Sequence, residues 1–199
     1  MSTIKHGAET GRLRFAPKTS GIGRGPLLPV PPTMEPHAMT RPEYIDGEID
    51  GLIVKPIKAY HDDRGWLMEL FRHDELAEPL RPVMAYASMT LPGVARGPHE
   101  HRDQTDGFAF FGPSDFRLYA WDLREGGPTY LHRMSIVVGE SRPAAIWIPP
   151  GIVHAYRNIG DVPGLVFNAP NRLYAGWNRA EPVDEIRHET ADPERFPLD

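Results

Sequence analysis

Gly93-Val94-Ala95-Arg96-Gly97-Pro98-His99-Glu100-His101 and Pro149-Pro150-Gly151-Ile152-Val153-His154-Ala155-Tyr156-Arg157-Asn158 are the stretches that decide how this sequence reads. On a strand, His99 and His101 lie two apart, so both side chains point to one face. In a closed sheet that face can be the interior. The run Pro149-x-Gly151-x-x-His154 makes a tight turn that delivers a histidine onto the following strand. Two such segments imply a β structure that brings histidines together from different strands.

The surrounding sequence has the same texture. Leu52–Val54, Met84–Met89, Phe108–Phe111, Phe116–Trp121, Ser135–Val138, Ala145–Ile148 and Leu165–Phe167 are short apolar runs that read as strands. Gly112-Pro113, Gly126-Gly127-Pro128, Pro149-Pro150-Gly151 and Gly160-Asp161 punctuate them. No long segment has helical period; Asp74–Glu78 is expected to form one or two helical turns. With 22 prolines, a helical protein is improbable. The expectation is an all-β sandwich or barrel, with Trp121, Trp147, Phe108 and Phe110 as its filling and Gly97, Gly112 and Gly151 as backbone necessities.

Residues 1–43 differ. They are rich in Gly, Pro, Ser and Thr, lack apolar periodicity, and read as an extended arm before a domain over 44–199. The net charge is −5, but residues 1–40 carry five Lys/Arg against two Asp/Glu, so the rest carries −8. An acidic domain is a poor binder of nucleic-acid phosphates. There is no cysteine, which excludes disulfides, thiolate metal sites and cysteine nucleophiles. No run approaches the ~18 apolar residues of a membrane span, and no apolar leader is visible. A cytoplasmic protein is expected.

Taken together, the two segments resemble the paired cupin motifs, G-x5-H-x-H-x3–4-E-x6-G and P-x-G-x-x-H-x3-N. The second matches at every named position. In the first, Asp106 stands where glutamate is usual and Gly112 comes one residue early. The implied fold is a cupin-type double-stranded β-helix, a jelly-roll barrel, with an extended N-terminal arm. The resemblance extends over about 46–199. Glu48–Pro56, then His61-Asp62-Asp63-Arg64-Gly65-Trp66-Leu67-Met68-Glu69-Leu70-Phe71, look like the N-terminal strands of dTDP-4-dehydrorhamnose 3,5-epimerases. Arg96-Gly97-Pro98-His99, Asp122-Leu123-Arg124, Trp147–His154 and Asp192–Pro197 continue the likeness. The His-x-His-x-x-Gln-Thr-Asp pattern looks like a less characterised branch of that family.

This resemblance implies an isomerase that abstracts a proton beside the ketone of a nucleotide-linked 4-keto-6-deoxysugar. His99 would be the base, since imidazole titrates near neutrality. Asp192 would orient it. Arg64 and Glu69 would meet the nucleotide portion, Arg64 through paired donors to the diphosphate. Arg96 would line the sugar pocket. Phe167 stands nearest the family's tyrosine acid and cannot donate a proton. Asp106 or Gly107 replaces the family's lysine. Tyr174 aligns with a second tyrosine and is the candidate acid; Tyr156 is another possible donor. No cofactor is implied. The resemblance also implies a homodimer with N-terminal strands crossing between subunits, so that Arg64 and Glu69 serve the neighbour's pocket.

Two other readings stay open. A metal-dependent oxygenase or lyase would use His99, His101 and His154 to bind Fe, Mn, Ni or Zn, with Gln104 or Asp106 as fourth ligand. A non-catalytic cupin would only bind a ligand in the same pocket.

Overall fold

The computed structural model describes residues 42–192 and 194–199. The arm expected over 1–43 lies outside the described residues, apart from residues 42 and 43. No helix among the described residues is long and apolar enough to cross a membrane.

The strands are β1 (Ile45–Asp46), β2 (Ile53–Pro56), β3 (Ala59–Asp62), β4 (Gly65–Met68), β5 (Tyr86–Thr90), β6 (Ala95–Glu100) and β7 (Asp106–Phe110). They continue with β8 (Asp115–Asp122), β9 (His132–Gly139), β10 (Ala144–Ile148), β11 (Ile152–Asn158), β12 (Gly164–Asn168) and β13 (Ile186–Arg187). One short helix follows, α1 (His188–Ala191). A six-stranded sheet runs β1-β9-β8-β11-β6-β13 and a five-stranded sheet runs β2-β10-β7-β12-β5. Strands β3 and β4 form a separate hairpin. This is the cupin-type jelly roll that the sequence implies. The helical turns expected over Asp74–Glu78 are absent; the chain turns at His73–Glu75 and makes a 3₁₀ turn at Glu78–Leu80, which Pro79 opens.

Period-two alternation explains how the sheets meet. Phe116, Leu118 and Ala120 of β8, Ile152 and Tyr156 of β11, Phe108 and Phe110 of β7, and Ile146 and Ile148 of β10 form the core between the sheets. Each buried Leu, Ile or Phe among them contributes about 1.5–3 kcal/mol through removal from water. The intervening residues of β8 and β11 are largely buried too. Tyr119, Trp121, Val153 and Ala155 pack under Phe196, with Tyr44, Leu123 and Leu198 at the margin. Trp121 is therefore not barrel filling, as expected from the sequence, but part of a second cluster on the outer face. Trp147 alternates with inward Ile146 and Ile148 and lies beside Gly107, so it too faces away from the barrel core.

The strand that matters most is irregular. Across the β6–β11 ladder His154 faces His99, but Tyr156 faces Arg96. Strand β6 thus uses one residue more than its partner, a bulge at Gly97-Pro98. The bulge turns Arg96 and His99 to the same face. Gly97 is required there: its φ is +81°, and a Cβ would sit 2.6 Å from the His154 carbonyl oxygen.

Candidate active site

The open end of the barrel holds a cavity of about 720 Å³. One wall carries Arg96, His99 and Tyr156 of the six-stranded sheet. The other carries Tyr86, Ser88, Asp106, Phe108 and Asn168 of the five-stranded sheet. Loop residues Arg172, Tyr174, Arg179 and Glu185 form the mouth.

Asp106, at the start of β7, is the hub. It is 6% exposed. Its Oδ2 lies 3.1 Å from Nε2 of His101, 3.1 Å from Nε2 of His154 and 3.8 Å from Nε2 of His99. Its Oδ1 accepts a 2.7 Å hydrogen bond from the Gln104 amide. Burial alone would raise its pKa, but the surrounding histidines, His101 foremost, outweigh that and hold the carboxyl well below the usual range. Asp106 is therefore ionised at neutral pH.

The histidines are fixed by their other nitrogens. His154 Nδ1 lies 3.0 Å from the Ile152 carbonyl, and His101 Nδ1 meets the Asp184 carbonyl. A carbonyl only accepts, so each Nδ1 carries the proton and each Nε2 is aimed at Asp106. Burial lowers the His154 pKa, and neighbouring His99 adds to the effect. For His101, burial is outweighed by the hydrogen bond to Asp106 and by Asp184, so its pKa is raised. Asp106 thus favours the charged form of His101, whereas burial favours neutral His154.

Asp184 supports the cluster from a distant part of the chain. Besides holding His101 through its carbonyl, its carboxylate accepts the N–H groups of Arg102, Asp103 and Gln104 at 2.9–3.0 Å. Arg96 is anchored by Nε to Thr90 Oγ1 at 3.0 Å and Nη2 to the Met89 carbonyl at 2.7 Å. The rest of its five N–H donors remain available to a ligand in the cavity.

The sequence-derived site residues divide in two. His99, Arg96 and Tyr174 meet at the cavity, as do His101, Gln104 and Asp106. Asp192 does not line it and makes no hydrogen bond or ion pair with His99. It follows α1, with its N–H on the His188 carbonyl, and lies near Tyr44. The carboxylate beside His99 is Asp106, not Asp192. Arg64 is on the exposed tip of the β3–β4 hairpin, where Asp62 takes its guanidinium. Glu69 lies 3.7 Å from Arg72 just beyond the hairpin. Neither lines this chain's cavity. Phe167 pairs with Ala87, out of phase with the inward Val166 and Asn168, so Asn168 holds the pocket-facing place. Sequence reasoning missed Tyr86, Asn168 and Asp184. For Tyr86, the signal was a polar row, Tyr86, Ser88 and Thr90, at period two in an expected strand.

A part-buried imidazole and a buried carboxylate sharing a cavity of this size with Arg96 suit proton transfer on a polar ligand larger than a single sugar. Residues 46–179 match the dTDP-4-dehydrorhamnose 3,5-epimerase family. The chain belongs to that family. Within it, the probable low-salt glycan biosynthesis epimerase of Haloferax volcanii is 35% identical over 147 residues, 73% of this chain and 86% of the relative. Among solved structures, a dTDP sugar isomerase from Desulfovibrio desulfuricans G20 aligns with TM-score 0.63 at 20% identity, covering 76% of this chain and 91% of that one. A 3'-monoepimerase from Streptomyces bikiniensis, in complex with dTDP-quinovose, aligns with TM-score 0.62 at 19% identity, covering 75% of each chain. These structures share the fold. Family membership makes the chain an epimerase-type isomerase.

Proposed function

We propose that this protein epimerises a nucleotide-diphosphate-linked 4-keto-6-deoxysugar at a carbon next to the ketone. The observation that carries this reading is His99 in the cavity wall, with the ionised Asp106 at 3.8 Å and Arg96 on the same face. His99 removes the proton from the carbon beside the ketone. The bonding electrons move onto the carbonyl oxygen, and Arg96 offers N–H donors to the resulting enolate. Asp106 stabilises the imidazolium as it forms. A proton returned to the opposite face completes the inversion, with no net change in atoms or electrons. Tyr174 at the mouth closes over the sugar in this reading, and no cofactor takes part.

The test is solvent exchange. In D₂O the protein should place deuterium beside the ketone of dTDP-4-keto-6-deoxyglucose or a related 4-keto sugar, and His99→Gln should not. No exchange across a panel of such sugars would sink the assignment.

We also infer a homodimer. Tyr60, Trp66 and Leu67 on the β3–β4 hairpin are more than half exposed, which suits a surface covered by a second copy. Strand β2 is bonded to β10 of its own chain, so the hairpin is the element available to cross. It would carry Arg64 and Glu69 to the neighbour's pocket. A monomer by light scattering would overturn this. The absence of cysteine requires no oxidising compartment, which supports a cytoplasmic protein.

One observation favours a second reading. Ligand atoms of His99, His154 and Asp106 all lie within 4.8 Å of one another. Neutral His154 also aims a bare Nε2 lone pair at an ionised oxygen 3.1 Å away. Two acceptors so placed call for a cation between them. His99, His154 and Asp106 would hold Fe, Mn, Ni or Zn. His101, named as a ligand from sequence, would instead steady Asp106. When bound, such a metal polarises a carbonyl. Untagged protein tests this: stoichiometric metal by elemental analysis, lost in Asp106→Ala, supports it. Metal-free protein whose melting temperature ignores all four ions overturns it.

A further inference from the structure

Inversion through an enolate needs a proton donor on the face opposite the base, and the five-stranded sheet supplies that wall. Its edge strand β5 turns alternate side chains into the cavity. Thr90 meets Arg96 Nε, and Ser88 Oγ meets both Tyr156 Oη at 3.1 Å and Asn168 Nδ2 at 3.2 Å. Tyr86 is the next member of this row. It pairs across the ladder with Asn168 and lines the cavity with it.

We propose that Tyr86 is the proton donor of this pocket, acting from the wall opposite His99. This rests on the epimerase reading. The step is balanced: the enolate carbon takes the phenolic proton, the carbonyl re-forms, and the tyrosinate recovers its proton from water or from the His99 imidazolium.

The other tyrosines are less suited. Tyr156 is 2% exposed and ringed by Phe108, Phe110 and Phe116, with its hydroxyl on Ser88. Tyr174 is 55% exposed at the mouth. Tyr86 is 49% exposed, and among the described residues its hydroxyl has no hydrogen-bond partner, so it is free to meet a ligand. Its surroundings keep it protonated. Burial pushes its pKa up to about 12, and Asp106, Tyr156 and Glu185 add to burial while Arg96 opposes it. Its place in the cavity lining puts Tyr86 in the same chamber as the base.

The experiment follows both fates of the substrate proton. In D₂O with dTDP-4-keto-6-deoxyglucose, Tyr86→Phe should still exchange the proton beside the ketone, while inversion falls about 100-fold or more. Tyr130→Phe, outside the cavity lining, should leave inversion within a few-fold of the parent. Inversion at the parental rate in Tyr86→Phe overturns the proposal, as does equal loss of exchange and inversion in a variant of unchanged melting temperature. Should Tyr86→Phe fail to fold, a fluorinated tyrosine at position 86 serves instead. By lowering the phenol pKa it should move the alkaline limb of the inversion profile to lower pH, and an unmoved limb overturns the assignment. If the parent protein itself exchanges no deuterium, the reading of the reaction fails and the donor role falls with it.

Discussion

Arg96 and His99 are three residues apart on one strand, yet both face the cavity. Strict alternation would send them to opposite sides of the sheet. The extra residue at Gly97-Pro98 brings a guanidinium and an imidazole onto one wall, where the enolate oxygen and the acidic carbon are themselves neighbours.

Gly97→Ala tests that relationship. A methyl group there would lie 2.6 Å from the His154 carbonyl, at a φ of +81°. The strand has to shift or the bulge has to relax. We expect a loss of about 2–3 kcal/mol in stability, read by denaturant unfolding, and loss of exchange activity even in the folded fraction. A variant with parental stability and activity would show that the bulge does not set the site.

Asp106→Ala removes the one carboxylate shared by three histidines. His101 then loses the carboxylate that favours its charged form, while its Nδ1–H keeps the Asp184 carbonyl. Breaking a buried pair in this way costs on the order of 3–5 kcal/mol. Melting temperature should fall clearly, whereas Asp192→Ala should leave exchange activity nearly unchanged.

Asp122 should govern part of the acid sensitivity. Its carboxylate is fully buried and takes hydrogen bonds from the Arg124 N–H, the Arg124 guanidinium and Thr129 Oγ1. Burial raises its pKa, but Arg124 and Thr129 together more than offset this and lower it. A carboxyl with a lowered folded pKa stabilises the protein above its unfolded value, near 3.9, and that stability is lost as pH falls below it. Asp122→Asn should therefore cost about 1.5–3 kcal/mol at pH 7 and less at pH 3, the difference growing as pH falls further. Equal costs at both pH values would contradict this.

Asp184→Ala should act on activity more than on the core. It leaves the N–H groups of Arg102, Asp103 and Gln104 without their acceptor. Amide hydrogen exchange at residues 102–104 should accelerate, and kcat/KM should fall, while the β8–β9–β11 ladders stay protected.

Much of this was legible from sequence because alternation carries burial. Phe108, Phe110, Ile146 and Ile148 take the inward places in continuous apolar runs that are buried throughout, and His99 and His154 follow turns that local chemistry announces. Trp121 was misplaced because both faces of its strand are apolar. Period two reveals alternation but not which face meets the other sheet, and here Tyr44 and Phe196 cover the outer one. Asp106 could be named as a candidate, but its part as hub depends on which strands lie side by side. Asp184 was invisible, since nothing near it in sequence indicates that its backbone and side chain serve residues more than 80 positions away.

That long reach has a consequence for how the protein acquires activity. The pocket draws on Tyr86, His99, Asp106, His154 and Asp184, and no two adjacent turns of chain can assemble it alone. Such non-local contacts form late and slowly during folding. A half-folded chain can therefore have most of its sheets and no working chemistry. Recovery of proton exchange after dilution from denaturant should lag behind recovery of β-structure, making the reaction itself a stringent clock for the last steps of folding.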